Sequence, residues 1–115
     1  MIGSMRNTIK KHSDFIIPDN GAMAKTPLFI AKARKTIFPG DARFGLVAAK
    51  KTFKLAAHRN RAKRLLRAWL IENQTVLNPE LDYVFIARVS ILESSKENGV
   101  AQMKSALMSL DNKND

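Results

Sequence analysis

The sequence predicts an α+β fold, a single-domain α/β sandwich in which helices pack on a mixed central sheet. Three segments lead to this prediction. Residues alternate between two faces over Leu28–Lys35, apolar residues recur with helical spacing over Leu55–Leu77, and Asp82–Val89 is almost wholly apolar. Strands and helices in such an order form a sheet covered by helices. A chain of 115 residues has room for one such domain.

Two strands are predicted before the long helix, at Leu28–Lys35 and Arg43–Lys50. In the first of them, Lys32 and Phe29 lie on opposite faces, since successive side chains of a strand alternate. A Pro-Gly-Asp turn at 39–41 separates the two strands. The pair is therefore predicted to form a hairpin with a loose loop.

Three helices are predicted from residues that begin or end a helix, namely prolines and a serine capping box. A short first helix near Ser13 or Asp14 would end at Pro18, and the long helix would end before Pro79. Ser94 fits a capping box that opens the last helix. Its partner in the box is Glu97, and the apolar face of the last helix comprises Val100, Met103, Leu107 and Leu110.

The domain is expected over residues 9–110, between a flexible N-terminal tail at 1–8 and a C-terminal tail at 111–115. Within it, the predicted order is α, β, β, long α, β, α. The strand at Asp82–Val89 is expected to be buried on both faces, because its side chains are apolar on both. The sequence also allows a further short strand, whose position no pattern indicates.

The charge of the chain is unusual for its size. Lys and Arg total 20 against 10 Asp and Glu, which gives a net charge of +10. Such a charge favours a polyanionic partner, nucleic acid before an anionic membrane, although it could serve solubility alone. Cysteine is absent, no apolar stretch approaches the roughly 20 residues of a membrane helix, and the N-terminus lacks the apolar core of a signal peptide. A cytoplasmic protein is expected.

The positive charge is concentrated where acidic residues are missing. No Asp or Glu lies between Asp41 and Glu72. Within the predicted helix, Lys63 has like-charged neighbours four residues before and after it, at Arg59 and Arg67, and such pairs cost a few tenths of a kcal/mol each. The basic residues of this window are Arg43, Lys50, Lys51, Lys54, Arg59, Arg61, Lys63, Arg64 and Arg67.

The helical spacing places these cations on one side. At about 100° per residue, one arc of about 140° is polar and basic, and the adjacent arc of about 100° is apolar. Arg61 lies between the far edges of the polar and the apolar arc. We call Arg59, Asn60, Arg61, Lys63, Arg64 and Arg67 the basic ridge. We predict that it binds RNA phosphates, because an arginine can bind one phosphate through two hydrogen bonds. The polar arc holds Arg59, Asn60, Lys63, Arg64 and Arg67, and the apolar arc holds Ala62, Leu65, Leu66 and Trp69.

Catalysis by the protein itself is disfavoured. RNA cleavage needs a general acid and base or carboxylates around a metal. Of the two histidines, His12 is expected in a tail or on the surface, and His58 is as well suited to helix packing as to catalysis. The acidic residues are scattered without metal-ligand spacing. Among the aromatic residues, Phe15 is the best candidate for stacking on a base, and the others are expected in the core.

The strand at 43–51 and the helix at 59–67 together form a motif. The strand reads Arg-x-Gly-Leu and ends in Lys-Lys, and the helix reads Arg-Asn-Arg-x-Lys-Arg-x-x-Arg. Lys10 and Lys11, followed by Asp14 and Phe15, and the strand at 82–88 extend the match. Over roughly residues 9 to 110 the chain resembles the protein subunit of bacterial ribonuclease P.

This resemblance implies a sandwich with a left-handed βαβ crossover and a protein without catalytic residues of its own. It implies that an RNA subunit removes the 5′ leader of precursor tRNA with Mg²⁺, that the protein binds no metal alone, and that no further protein partner is obligatory. The implied contacts with the RNA subunit are Arg59, Asn60, Arg61, Lys63, Arg64 and Arg67, with Lys50 and Lys51. The implied contacts with the leader are Phe15, Phe29, Lys32 and Arg43.

The departures from the family pattern lie mostly on the leader side. Acidic Asp19 stands where a second aromatic residue is usual, Lys32 stands where tyrosine is frequent, and Thr52–Leu55 replaces a glycine-asparagine turn. Two alternatives stay open at this point. One is another structural RNA-binding protein, such as a small ribosomal protein, and the other is a basic module that binds acidic proteins or membranes.

Overall fold

The computed structural model describes residues 7–8, 22–35 and 43–113. In this part of the chain the strands form one mixed sheet, as predicted. The strands are β1 (Asn7–Thr8), β2 (Ala22–Lys25), β3 (Phe29–Lys35), β4 (Arg43–Val47) and β5 (Leu81–Ala87). Their order across the sheet is β1-β4-β5-β3-β2, with β4 parallel to β1 and β5, and β3 antiparallel to β2 and β5. The sequence allowed one further short strand without placing it, and the sheet contains two, β1 and β2.

The predicted hairpin between β3 and β4 is wrong, because β5 lies between them. Phe29 of β3 is opposite Ala87, and Phe44 of β4 is opposite Tyr83. The apolar composition of β5 explains this position: six of its seven residues are buried, and a strand covered on both faces is most stable with neighbours on both edges. The parallel strands β4 and β5 are joined through a long helix, which makes a βαβ unit.

The helices are α1 (Ala56–Glu72) and α2 (Lys96–Lys113), with short 3-10 turns at Gln74–Val76 and Val89–Glu93. Both helices pack on the same face of the sheet, which we call the helix face. The opposite side of the sheet is called the second face. The largest fully buried side chains of the helix-face core are Phe29, Phe53, Leu66, Trp69, Leu70, Leu81, Tyr83, Phe85, Ile91, Met103, Leu107 and Leu110.

Helix α1 ends at Glu72, five residues before the predicted end at Leu77. The cause is Asn73, which is 4% exposed. Its side-chain Nδ2 donates to the main-chain oxygen of Trp69 at 3.0 Å and to that of Val100 in α2 at 3.1 Å. An asparagine side chain that bonds to main-chain oxygens competes with the helical pattern, so the chain leaves the α conformation here.

Helix α2 begins one residue later than the predicted capping box requires. Ser95, not Ser94, is the capping residue: its Oγ accepts a hydrogen bond from Asn98 N at 3.1 Å. The hydroxyl of Ser94 instead donates to the oxygen of Ile91, which closes the preceding 3-10 turn. The helix then extends to Lys113, into the segment expected as a C-terminal tail. The predicted apolar face is confirmed, with Val100 half-buried and the other three members buried.

The two helices approach each other closely at Gly99 and Trp69. A Cβ atom built on Gly99 would lie 2.1 Å from Cε2 of the Trp69 indole, and Trp69 itself is 2% exposed. Glycine is therefore required at this contact for lack of space. The ring of Trp69 also packs against Phe29 of β3, with ring centroids 6.3 Å apart, so that it joins both helices to the sheet.

The predicted short helix near Asp14 and the turn at 39–41 lie outside the described residues. Within the described residues, no helix combines the length and the apolar character that a membrane crossing requires. The alternation predicted for the first strand is confirmed, since residues 29, 31 and 33 are buried while residues 30, 32 and 34 are partly exposed.

Candidate nucleic-acid interface

The basic ridge lies on the exposed side of α1. Asn60, Arg61, Arg64 and Arg67 are exposed, and Lys63 is half-buried at the edge. On the opposite side of the helix, Ala62, Leu66, Trp69 and Leu70 are buried against the sheet and α2. The one-sided distribution predicted from the helical spacing is therefore confirmed.

One arginine differs from its predicted place on the helix. Arg61, predicted between the polar and apolar arcs, is exposed, whereas Arg59 is not. Arg59 is half-buried instead, and its Nη1 donates to the main-chain oxygens of Phe53 at 2.8 Å and Lys54 at 3.2 Å. The reason is Leu70, which lies within about 20° of Arg59 around the helix axis and is buried. The buried side of α1 thus extends to the angular position of Arg59.

The ridge has no acidic counterpart in the described part of the chain. The ion pairs found there join Lys96 to Glu72 at 3.5 Å and Arg34 to Asp82 at 3.8 Å, and neither involves a ridge residue. The first turn of α1 also contains no acidic side chain, and no side chain caps its N-terminus. Like charges therefore face solvent together, an arrangement that an RNA backbone would stabilise.

A turn rich in lysine adjoins the N-terminal end of the ridge. We call residues 50–54 the basic turn; its Lys50, Lys51 and Lys54 are exposed. The N–H groups of Thr52 and Phe53 both donate to the oxygen of Ala49, at 3.1 and 2.8 Å. The turn follows β4 and leads into α1, so the strand end and the helix place its lysines beside the ridge.

The second face of the sheet carries a separate group of cations. Lys32 is half-buried in the middle of β3, in register with Val84 of β5. Two residues on, Arg34 lies opposite Asp82, whose side chain is 1% exposed, with Nε 3.8 Å from Oδ2. The face thus combines partly exposed cations with half-buried apolar side chains such as Ile30 and Ile86, which lie opposite each other in β3 and β5.

One predicted leader contact does not lie on this face. Phe29 points to the helix face and is 0% exposed, because its ring packs between Trp69 and Phe85. It is a core residue and cannot contact RNA. Arg43 begins β4, while Phe15 lies outside the described residues.

The aromatic residues of the described segments belong to the core, as predicted. None of them is more than 3% exposed, so none is available to stack on a base. The hydroxyl of Tyr83 accepts a hydrogen bond from Asn78 N at 2.9 Å, which fixes the turn before β5. These residues are Phe29, Phe44, Phe53, Trp69, Tyr83 and Phe85.

No metal-binding cluster of three or more His, Cys, Asp or Glu side chains occurs in the described segments. His58 is exposed in the first turn of α1, and His12 lies outside the described residues. Two cations near the candidate sites were not among the predicted contacts: Arg34, which the strand alternation already placed beside Lys32, and Lys54, which extends the basic turn.

Comparison with known proteins agrees with this architecture. A family model described as Ribonuclease P matches residues 4–111. A ribonuclease P protein component from Lactobacillus delbrueckii subsp. bulgaricus is 35% identical over 81 residues, which cover 70% of this chain and 67% of that protein.

Two solved structures share the fold. An RNase P protein from Staphylococcus aureus has a TM-score of 0.74 at 22% identity, covering 90% of this chain and 94% of that one. An RNase P protein from Thermotoga maritima has a TM-score of 0.59 at 23% identity, covering 78% and 80%. The chain therefore belongs to the ribonuclease P protein family, and its role is that of the family, the processing of tRNA 5′ ends within a ribonucleoprotein.

Proposed function

We propose that this chain binds the RNA subunit of ribonuclease P through the basic ridge and the basic turn. The second face of the sheet binds the 5′ leader of precursor tRNA, and the RNA subunit carries out the cleavage with Mg²⁺. The reaction takes place in the cytoplasm. The proposed contacts with the RNA subunit are Asn60, Arg61, Lys63, Arg64 and Arg67 of the ridge, with Lys50 and Lys51 of the turn.

The observation that carries this proposal is the exposed ridge without acidic partners. Its arginines have planar guanidinium groups that can bind one phosphate through two hydrogen bonds. Asn60 lies among them and offers both a donor and an acceptor, which suits a ribose hydroxyl or a base edge. Because the buried side of α1 is anchored by Trp69 and Leu66, the ridge is presented on a rigid element.

The second face supports leader binding through charge. Lys32 and Arg34 are partly exposed cations on the same strand face, separated by one residue. They suit the phosphates of a single strand, while the neighbouring apolar side chains suit the bases or sugars. Phe15 and Arg43 remain part of the proposed leader contact, whereas Phe29 is withdrawn because it is buried.

The scattered positions of the carboxylates in the described segments support catalysis by the RNA subunit. Hydrolysis of a phosphodiester requires positioned acid and base groups or metal ions held by oxygen ligands. The carboxylates of the described segments do not converge, and the most buried, Asp82, lies beside Arg34. Mg²⁺ binds few protein ligands and keeps several waters, so RNA phosphates suit it better.

Precursor tRNA that carries its leader is expected to bind the reconstituted complex more tightly than mature tRNA does. One charge-assisted contact corresponds to about tenfold in affinity, so at least that difference is expected. Binding of both RNAs would be measured by titration with the complex and with the RNA subunit alone. The Lys32→Ala variant should reduce the preference.

Equal binding of the two RNAs would contradict leader recognition and favour a purely structural RNA-binding role. The matched control is Lys104→Ala, which removes an exposed cation from α2. It should leave the preference for the leader unchanged.

A further inference from the structure

Arg59 differs from the other cations of α1 in what its guanidinium contacts. Its Nη1 donates to the main-chain oxygens of Phe53 and Lys54, at 2.8 and 3.2 Å. Both N–H groups of that nitrogen are thus directed at the chain before the helix. The residue is half-buried, whereas Arg61 and Arg64 are exposed.

The segment that Arg59 holds is the basic turn, which is fastened at two further points. The N–H groups of Thr52 and Phe53 donate to the oxygen of Ala49, and the Phe53 side chain is 2% exposed in the core. These contacts fix the middle of the turn. The bonds from Arg59 fix its last two peptide groups against the first turn of α1.

Charge makes this arrangement costly in the free protein. Three lysines and Arg59 lie within ten residues of one another, with no acidic residue nearby in the sequence. A cation in the first turn of a helix is also opposed by the helix dipole. The carbonyl oxygens of Phe53 and Lys54 offset the charge of Arg59, so the turn can stay closed while its lysines face solvent.

We infer that Arg59 is a positioning residue, which closes the basic turn and holds Lys50 and Lys51 beside the ridge before RNA binds. Arg59 raises the affinity for RNA by holding these lysines in place before binding, and not by contacting an RNA phosphate itself. The inference rests on the proposed function, since it concerns the same contact with the RNA subunit.

The test is the salt dependence of binding between the full chain and the RNA subunit of the same organism. Four proteins are compared: the wild type, Arg59→Ala, the double variant Lys50→Ala/Lys51→Ala, and a variant that combines all three of these changes. Alanine keeps the helix, because its helix propensity is the highest. The slope of log K against log salt is negative for RNA binding. In the wild-type background, loss of both lysines should make it shallower by about 2.

In the Arg59→Ala background, loss of the same lysines should lower the slope by much less, because they are no longer held at the RNA. If the lysines lower the slope equally in both backgrounds, Arg59 acts independently of the turn, and the inference is wrong. An Arg59→Ala variant with wild-type affinity would also overturn it.

A second measurement needs no RNA. Amide hydrogen exchange at Thr52 and Phe53 should be about tenfold faster in Arg59→Ala, which corresponds to the loss of a charge-assisted hydrogen bond. The matched control, Arg64→Ala, should leave that exchange unchanged and should weaken RNA binding. Unchanged exchange in Arg59→Ala contradicts the inference. Unchanged RNA binding in Arg64→Ala contradicts the proposed function of the ridge and leaves the exchange result valid by itself.

Discussion

Gly99→Ala is expected to lower the free energy of unfolding by about 3 kcal/mol, the upper part of the usual range for overpacking. The new Cβ would lie 2.1 Å from Cε2 of Trp69, far inside van der Waals contact. The indole cannot move aside easily, because it is 2% exposed and packs against Phe29. The helices must therefore separate. Urea denaturation of the variant and the wild type measures the effect.

The sign of this effect is its most informative feature. At an unconstrained helical position, glycine to alanine stabilises by about 1 kcal/mol. Ala101→Gly, at an exposed position of α2, measures that propensity term alone and serves as the control. The double variant Trp69→Leu/Gly99→Ala should be more stable than the sum of the single changes predicts, because the smaller side chain makes room for the methyl group. Stabilisation by Gly99→Ala would show that α1 and α2 are not in this contact.

The triple variant Arg61→Ala/Arg64→Ala/Arg67→Ala is expected to bind the RNA subunit about a thousandfold more weakly at low salt. Each arginine is taken to make one charge-assisted contact, which is about tenfold in affinity. The negative slope of log K against log salt should become shallower by about 3, since the variant neutralises three fewer phosphates and so displaces fewer counterions from the RNA. Filter binding or fluorescence titration at several salt concentrations gives both quantities.

The control for the ridge is a cation outside it. Lys104→Ala removes one exposed charge from α2 and should change neither the affinity nor the slope appreciably. Arg64→Ala, which removes one charge from the ridge, should lower the slope by about 1. If the two single variants behave alike, general electrostatic attraction explains the binding and the ridge has no specific role.

The parts of the fold that depend on local patterns could be predicted from the sequence. The alternation of β3, the apolar composition of β5 and the helical spacing of α1 each follow from which side chains must be buried. The basic ridge followed from the same spacing, since the buried and exposed sides of one helix are complementary. These predictions needed no knowledge of neighbouring elements.

The parts that depend on distant partners could not be predicted. The position of β5 between β3 and β4 is decided by competition among strand pairings, which local periodicity does not contain. The end of α1 depends on a hydrogen bond from Asn73 to Val100, 27 residues further along the chain. The role of Arg59 depends on whether its guanidinium reaches solvent or Phe53, and the helical spacing alone placed it among the exposed cations.

We propose that this chain assists an RNA catalyst and does not cleave RNA itself. The most direct test of this proposal is leader removal from precursor tRNA at low Mg²⁺, with the RNA subunit alone, the protein alone and the two together. We expect faster cleavage by the mixture than by the RNA subunit alone, and no cleavage by the protein alone at any Mg²⁺ concentration. A mixture no faster than the RNA subunit, or leader removal by the protein alone, would contradict it.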